Sequence, residues 1–474
     1  MAPRNAGPFV ACLLGLLGLL GVSSASAQET LRLNQDPTSY TDVIDAFDDG
    51  DSFDLNVHAG FRREQRNGTI QRETLGGSAG IANRVDVGDW EHVRNLLDLG
   101  LDIGLFRDVM LYARLPVVLS DDRRVLASDG DSNSRVVAPF PAYDSPTLGP
   151  LTGGSPQLFH LPFESPTRSG LDVLQVGLAF DLTNQARRPA LPTWMMLFEL
   201  EIGIGKVMQP CESGGVQRDP NTGEPVMVDG ATVPVPCDTG VSEGTHAFRF
   251  ETRLSRRYRH FEPYGGFNFR YSWPGKALDA YQAGGNLEGF QNNRPPVRGG
   301  LSAGVAFIPW ENRGTWQRFT VDVRADATYV SEGLAYSPLY DALGSSQHPY
   351  LTEPNLEGIP GAGRDLRQVP FTGLTSVQAH AEIRGTLAIE MQAARYVRFQ
   401  VGGTFTFISD HALTFNDACN SGGTADGPND PRIGGCEDGL LDPHYRGEID
   451  SPGRRFQLND AYGFDIFVRA TAQF

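Results

Sequence analysis

Lysine is nearly missing from this chain: Lys206 and Lys276 stand among 40 basic residues, the rest being arginine. An arginine-rich codon usage explains that bias without any functional role. Positive charge is short overall, because 57 acidic residues leave a net charge of −17. That balance argues against nucleic acid or an anionic membrane surface as a partner, since both are bound through excess basic charge. Beyond residue 27 no apolar run approaches the roughly 20 residues that a membrane-spanning helix needs. Cysteine is scarce too: of five, none forms a Cys-x-x-Cys pair or stands with histidine at ligand spacing, so structural zinc is not expected.

Three short motifs fail on their details. Gly203-Ile204-Gly205-Lys206 lacks the earlier glycine and the following Ser or Thr of a phosphate loop, and it lies in a strand pattern. Asp129-Gly130-Asp131-Ser132-Asn133 opens like a calcium loop, but Ser134 replaces the glycine at its sixth place and Phe140 the glutamate at its twelfth. Asn67-Gly68-Thr69 matches a glycosylation sequon and reads as a turn. No cofactor and no metal is expected.

The first 27 residues read as a secretory signal peptide. Arg4 supplies the positive region, Val10 to Leu20 the apolar core, and Ala25-Ser26-Ala27 a small-x-small site with cleavage after Ala27. Cys12 lies inside that core and not after it, where a lipoprotein would need it. Residues 28–50 are too short for the plug domain of an active transporter and read as a periplasmic lead-in. Export favours disulfides, and the remaining cysteines form two local pairs, Cys211 with Cys237 and Cys419 with Cys436. Each closes a modest loop, worth about 3 kcal/mol in the chain-entropy model.

Residues 51–474 carry two-residue periodicity in twelve segments, each long enough for the 9–11 or so residues of a tilted membrane strand. The first runs from Phe53 to Arg63. The second and third flank a tight turn at Phe106-Arg107-Asp108. Later ones are marked by Leu174 to Leu182, Trp194 to Ile202, Phe248 to Leu254, Phe267 to Trp273, Leu301 to Phe307, Phe319 to Tyr329, Val377 to Ile389 and Val397 to Phe407. The last has Tyr462, Phe464, Ile466, Val468, Ala470, Ala472 and Phe474 in one register, against Gly463, Asp465, Phe467, Arg469, Thr471 and Gln473 in the other. Such a strand, ending on Phe474, resembles the C-terminal strand of bacterial outer-membrane β-barrels. The resemblance implies an all-β chain folded as a transmembrane antiparallel up-and-down barrel of about 12 strands. It also implies that Phe474 and Tyr462 belong to the signal read by the outer-membrane assembly machinery, and that outer-membrane lipid surrounds the barrel.

The connections alternate between short turns and long segments at 65–92, 121–170, 206–244, 274–298, 332–374 and 409–460. Short periplasmic turns and long outer loops are what an even-stranded outer-membrane barrel requires. The loops look solvated, with many prolines and acids. All five tryptophans (Trp90, Trp194, Trp273, Trp310 and Trp316) fall at or near strand ends, where an indole suits the membrane–water interface.

If the apolar register faces lipid, the other lines the lumen. That set comprises Asp54, His58, Arg62, Asp98, Asp102, Arg114, Glu199, Glu201, Arg249, Glu251, Arg253 and Arg270. It continues with Asp322, Arg324, Asp326, His380, Glu382, Arg384, Arg398, Asp465 and Arg469. Ions this close need partners or water, so a hydrated ion-pair network is expected. The resulting reading is a passive channel for small solutes, not an enzyme. A structural barrel acting through its outer loops is the alternative. An outer-membrane hydrolase is disfavoured: the outward His246 has Ser242 nearby, but not at the spacing of outer-membrane phospholipases. His58 and His380 fall in the lumen register, away from lipid.

Overall fold

The computed structural model describes residues 38–44, 54–75, 82–128, 137–138, 157–219, 224–283, 293–352, 370–420, 427, 436, 440–442 and 444–474. The leader, most of the lead-in, Phe53 and the segment opening like a calcium loop lie outside them. Twelve long strands form the barrel: β1 (Leu55–Leu75), β2 (Ala82–Phe106), β3 (Val109–Ala127), β4 (Val173–Thr183), β5 (Thr193–Gly203) and β6 (Thr245–Ser255), then β7 (Phe261–Pro274), β8 (Arg298–Asn312), β9 (Gln317–Val330), β10 (His380–Ala394), β11 (Val397–Ile408) and β12 (Phe456–Gln473). Each pairs antiparallel with its sequence neighbour, and β12 returns to pair with β1. Closure runs to the end of the chain. Leu55 and Phe474 exchange both backbone hydrogen bonds, at 3.1 and 2.9 Å.

Within the membrane zone the register is uniform. Val57, Phe61, Leu301, Val323, Ile383, Phe405 and Val468 point outward and are exposed, Leu301 to 64%. In a soluble protein such a belt would be a liability; in hydrocarbon it is the solvated face. The inward register is polar, and bulky inward side chains lie over glycines of the adjacent strand. Tyr112 covers Gly177, Tyr264 covers Gly304 and Phe467 covers Gly402, so a methyl group at any of the three would collide with the ring.

Above this zone the polarity inverts. On β1 the outward residues become Arg63, Gln65, Asn67, Thr69 and Gln71, paired with Asn95, Val93, Glu91, Asp89 and Asp86 of β2. The inward residues become Ile70, fully buried, and on β2 Val87 and Trp90. Outside now faces water, and inside is packed. This corrects the expected loop at 65–92: β1 continues to Leu75 and β2 begins at Ala82. A rule that seeks apolar residues in the outward register stops where the hydrocarbon stops, although the hydrogen-bonded ladder does not. Asn67-Gly68-Thr69 is accordingly strand and not turn. Trp90 is corrected too, for it sits within β2 and is buried in an inward core. Trp194 and Trp310, both 44% exposed near strand ends, keep the expected placement.

The face assignment has a direct test. Val468→Arg places a cation in hydrocarbon and is expected to cost about 2–4 kcal/mol. Thr404→Arg faces inward opposite Asp465, whose Oδ1 is buried without a hydrogen-bond partner. Its cost should stay below about 1 kcal/mol. Urea-titrated folding into lipid bilayers measures both, and equal costs would reverse the assignment.

Candidate functional site: the charged lumen and its two caps

The inward register brings oppositely charged side chains together along single strands, across neighbouring strands and over an intervening strand. Asp102 of β2 receives His58 from β1 and Arg114 from β3. Arg62 bridges Glu64 at 3.0 Å and Asp98 at 3.3 Å. On the opposite wall Arg249 reaches Glu251 at 2.6 Å and Glu199 at 3.8 Å, while Arg253 takes the second oxygen of Glu251 at 2.6 Å. Arg270 holds Glu201 at 2.8 Å, and Tyr112 donates to Glu199 at 2.8 Å. Farther round, Glu382 accepts from Arg384 and, at 3.4 Å, from Arg298; Arg324 meets Asp326 at 3.2 Å; Tyr264 donates to Asp322. Most of the residues expected in the lumen thus meet as pairs. Asp54 lies just before β1, and His380 stacks on His411 at 3.9 Å near the outer end of β10. Among the described residues Asp465 and Arg469 stand apart from the ion pairs.

One part of this network has the atoms of a catalytic triad. His58 Nδ1 lies 2.9 Å from Thr471 Oγ1, and its Nε2 bonds Asp102. The surroundings do not suit nucleophilic chemistry. Thr471 is 5% exposed, Asp102 is shared with Arg114, and the neighbouring backbone N–H groups belong to the β-ladder and not to an oxyanion site. The arrangement ties β12, β1, β2 and β3 together. Ser242 and His246 also bond elsewhere: the Ser242 hydroxyl donates to Asp172 O at 3.1 Å, and His246 Nδ1 accepts from Gly203 N at 3.1 Å.

The lead-in is not confined to the periplasmic rim. Residues 38–44 cross the lumen at its periplasmic end. Tyr40 stacks on Tyr264 with ring centroids 3.8 Å apart, bonds Ser302 at 2.6 Å and accepts from Arg253 through its carbonyl at 2.8 Å. Thr38 N donates to Glu262 at 2.8 Å, and Thr41 is fully buried against Ser255. Val43 packs among Met110, Tyr112, Ala179, Met195 and Leu197. Asp42 reaches the far wall at Arg398, 3.3 Å away. The run Thr38-Ser39-Tyr40-Thr41-Asp42-Val43-Ile44 has no two-residue period that betrays this placement. Its partners lie more than 200 residues away in sequence.

The outer end is capped by the loops, which are not the solvated segments expected. Leu158, Phe159, Leu339, Leu343, Leu413 and Ile449 join Ile70, Trp90 and Phe456 in one apolar core. A single carboxylate organises three loops: Asp341 accepts from Arg168 at 2.6 and 3.0 Å, from Ser165 at 2.8 Å and from Cys211 N at 3.1 Å. Arg72, also fully buried, donates to the carbonyls of Ala138 and Glu448 and covers the Phe456 ring at 4.5 Å. Both cysteine pairs are joined, with Cα–Cα distances of 5.8 and 5.7 Å. Deep in the last loop, burial pushes the carboxyls of Asp442 and Asp450 up to about 7 and the imidazole of His444 down to about 4. Between the cap and the lumen, Asp121 gathers His92, Arg94 and Arg123 at 3.1, 3.1 and 2.8 Å. Sequence reading missed Glu64, Arg94, Asp121 and Arg298. Glu64 lies one residue beyond the expected end of the first strand, and simply continuing the register would have found it.

A closed antiparallel cylinder with an apolar belt outside and ion pairs inside defines a transmembrane β-barrel of the bacterial outer-membrane class. No protein-family model matches the sequence, and no curated protein matches it either. Solved structures similar to it include an outer membrane channel from Pseudomonas putida F1, at 10% identity over 93% of this chain and 99% of that one, with a TM-score of 0.38. A FadL homologue from Pseudomonas aeruginosa is 9% identical over 89% and 90%, with a TM-score of 0.33. The outer membrane protease OmpT from Escherichia coli is 9% identical over 90% and 99%, with a TM-score of 0.26.

The Arg168–Asp341 pair gives the cap a test. Arg168→Ala leaves a buried carboxylate uncompensated, a loss of about 3–5 kcal/mol confined to the loops. Chymotrypsin is expected to cleave the outer loops of this variant while the strands stay protected. Arg168→Met with Asp341→Leu should recover much of the resistance. Unchanged cleavage in Arg168→Ala would remove the pair from its organising role.

Proposed function

We propose that this chain is a passive outer-membrane channel for small polar solutes, with residues 38–44 restricting its periplasmic end. The observation carrying this reading is the inward face itself. Between its two caps a barrel of this size is lined by ion pairs and not by interlocking apolar side chains, which favours a hydrated lumen. Paired walls of both signs set a field across the lumen, and that field screens solutes by charge and size. The hydroxyl and aromatic contacts of residues 38–44 are individually modest, so the segment suits a removable constriction better than a permanent wall. The exposure of Phe474, 42% beside Leu55, supports reading it as part of the signal for an assembly factor.

Planar-bilayer recording tests the reading. The full chain, inserted and folded, is expected to pass small or intermittent currents. Tyr40→Ala with Asp42→Ala removes the ring stack and the Arg398 pairing, and should raise conductance severalfold. Silence of both proteins after verified insertion would sink the channel reading and leave a structural barrel.

A further inference from the structure

Among the described residues two inward charges of β12, Asp465 and Arg469, stand outside the ion pairs, beside the seam where β12 meets β1. Arg469 faces inward, since its neighbours Val468 and Ala470 belong to the lipid register, and its side chain is exposed to water. Among the described residues no carboxylate pairs with it and no protein atom accepts a hydrogen bond from it. Its cross-strand partners are Gly60 and Gln400, one without a side chain and the other neutral. Its charged neighbours are Arg114, Asp98, Arg62 and Asp102. Both of those carboxylates already have cations: Asp98 holds Arg62, and Asp102 holds Arg114 and His58. With Glu64, which also holds Arg62, the cluster is balanced in formal charge, but of its three guanidiniums only that of Arg469 has no carboxylate in direct contact among the described residues.

We infer that Arg469 is an anion-binding step of the lumen, taking the carboxylate of a small organic acid. A guanidinium offers a planar fork that matches a carboxylate bidentately, which favours an organic acid over a spherical halide. The next inward residue on β12 is Phe467, laid over Gly402, so an apolar body attached to that carboxylate meets a ring and not another charge. The site lies next to the periplasmic cap. Gln400, opposite Arg469, is one inward position from Arg398, which holds Asp42 of the crossing segment. The inference rests on the channel reading only for the route by which the acid arrives.

Two measurements on the full, folded chain separate the ideas. Calorimetric titration of butyrate into detergent-solubilised protein should show binding that weakens at least about tenfold in Arg469→Gln, with sodium chloride giving no comparable signal. Heat-modifiable gel mobility confirms that the variant is folded. In bilayers, butyrate should reduce the chloride current of the parent chain and leave that of Arg469→Gln unaffected. Absent binding to the parent, or equal binding to both, overturns the inference. A conducting barrel without butyrate binding or block would leave the channel and remove the site. A silent barrel with Arg469-dependent binding would do the reverse.

Discussion

Every backbone N–H and C=O that enters hydrocarbon must find its partner within the protein, and for strands the solution is a cylinder without an edge. The pairing of β1 with β12 is the step that meets this condition, and much else follows from it. Once the sheet closes, side chains have two environments, and the alternation of each strand divides its residues between them. Val57, Phe61 and Val468 lie in lipid because His58, Arg62 and Arg469 face the lumen.

Closure in turn creates an interior that must be filled or wetted. The chain does both, at different heights. At the periplasmic end Tyr40 and Val43 occupy space between Tyr264 and Met110. Midway, arginines and carboxylates meet along strands and between them, an arrangement tolerated because most of these ions have partners and water has access. At the outer end apolar loop residues meet Ile70 and Trp90. The glycines under Tyr112, Tyr264 and Phe467 belong to the same solution, for they let the rings lie against the wall.

Much of this was legible in the sequence, and its limits have a physical cause. Twelve strands could be read because lipid and lumen impose opposite polarities at every second residue. The inward placement of charges such as Arg270 and Glu201 followed from the register, although their pairing across an intervening strand did not. The reading failed where that contrast reverses or disappears. Gln65 to Gln71 looked like a loop because outward residues above the membrane are polar, though β1 is unbroken there. Residues 38–44 carry no alternation, since they lie across the lumen and not in a strand between lipid and water. Asp341 and Arg168 lie 173 residues apart, and no local pattern marks two ions that meet only when three loops fold together.

The reversal of polarity along β1 and β2 also explains why the outer cap is built onto the wall and the periplasmic cap is inserted into it. The outer parts of these strands have water outside and can turn apolar residues inward, so loop side chains find a ready surface to pack on. At the periplasmic end the strands stop at the membrane boundary, in turns as short as Arg107–Asp108. No wall extends beyond it to support a lid. A constriction there has to come from a separate piece of chain lying inside the polar section, and it must satisfy polar groups rather than apolar ones. Thr38 on Glu262, Thr41 on Ser255 and Asp42 on Arg398 meet that demand. The two ends therefore differ in strength by construction: one is an apolar core clipped by disulfides, the other a short polar segment that water can replace contact by contact.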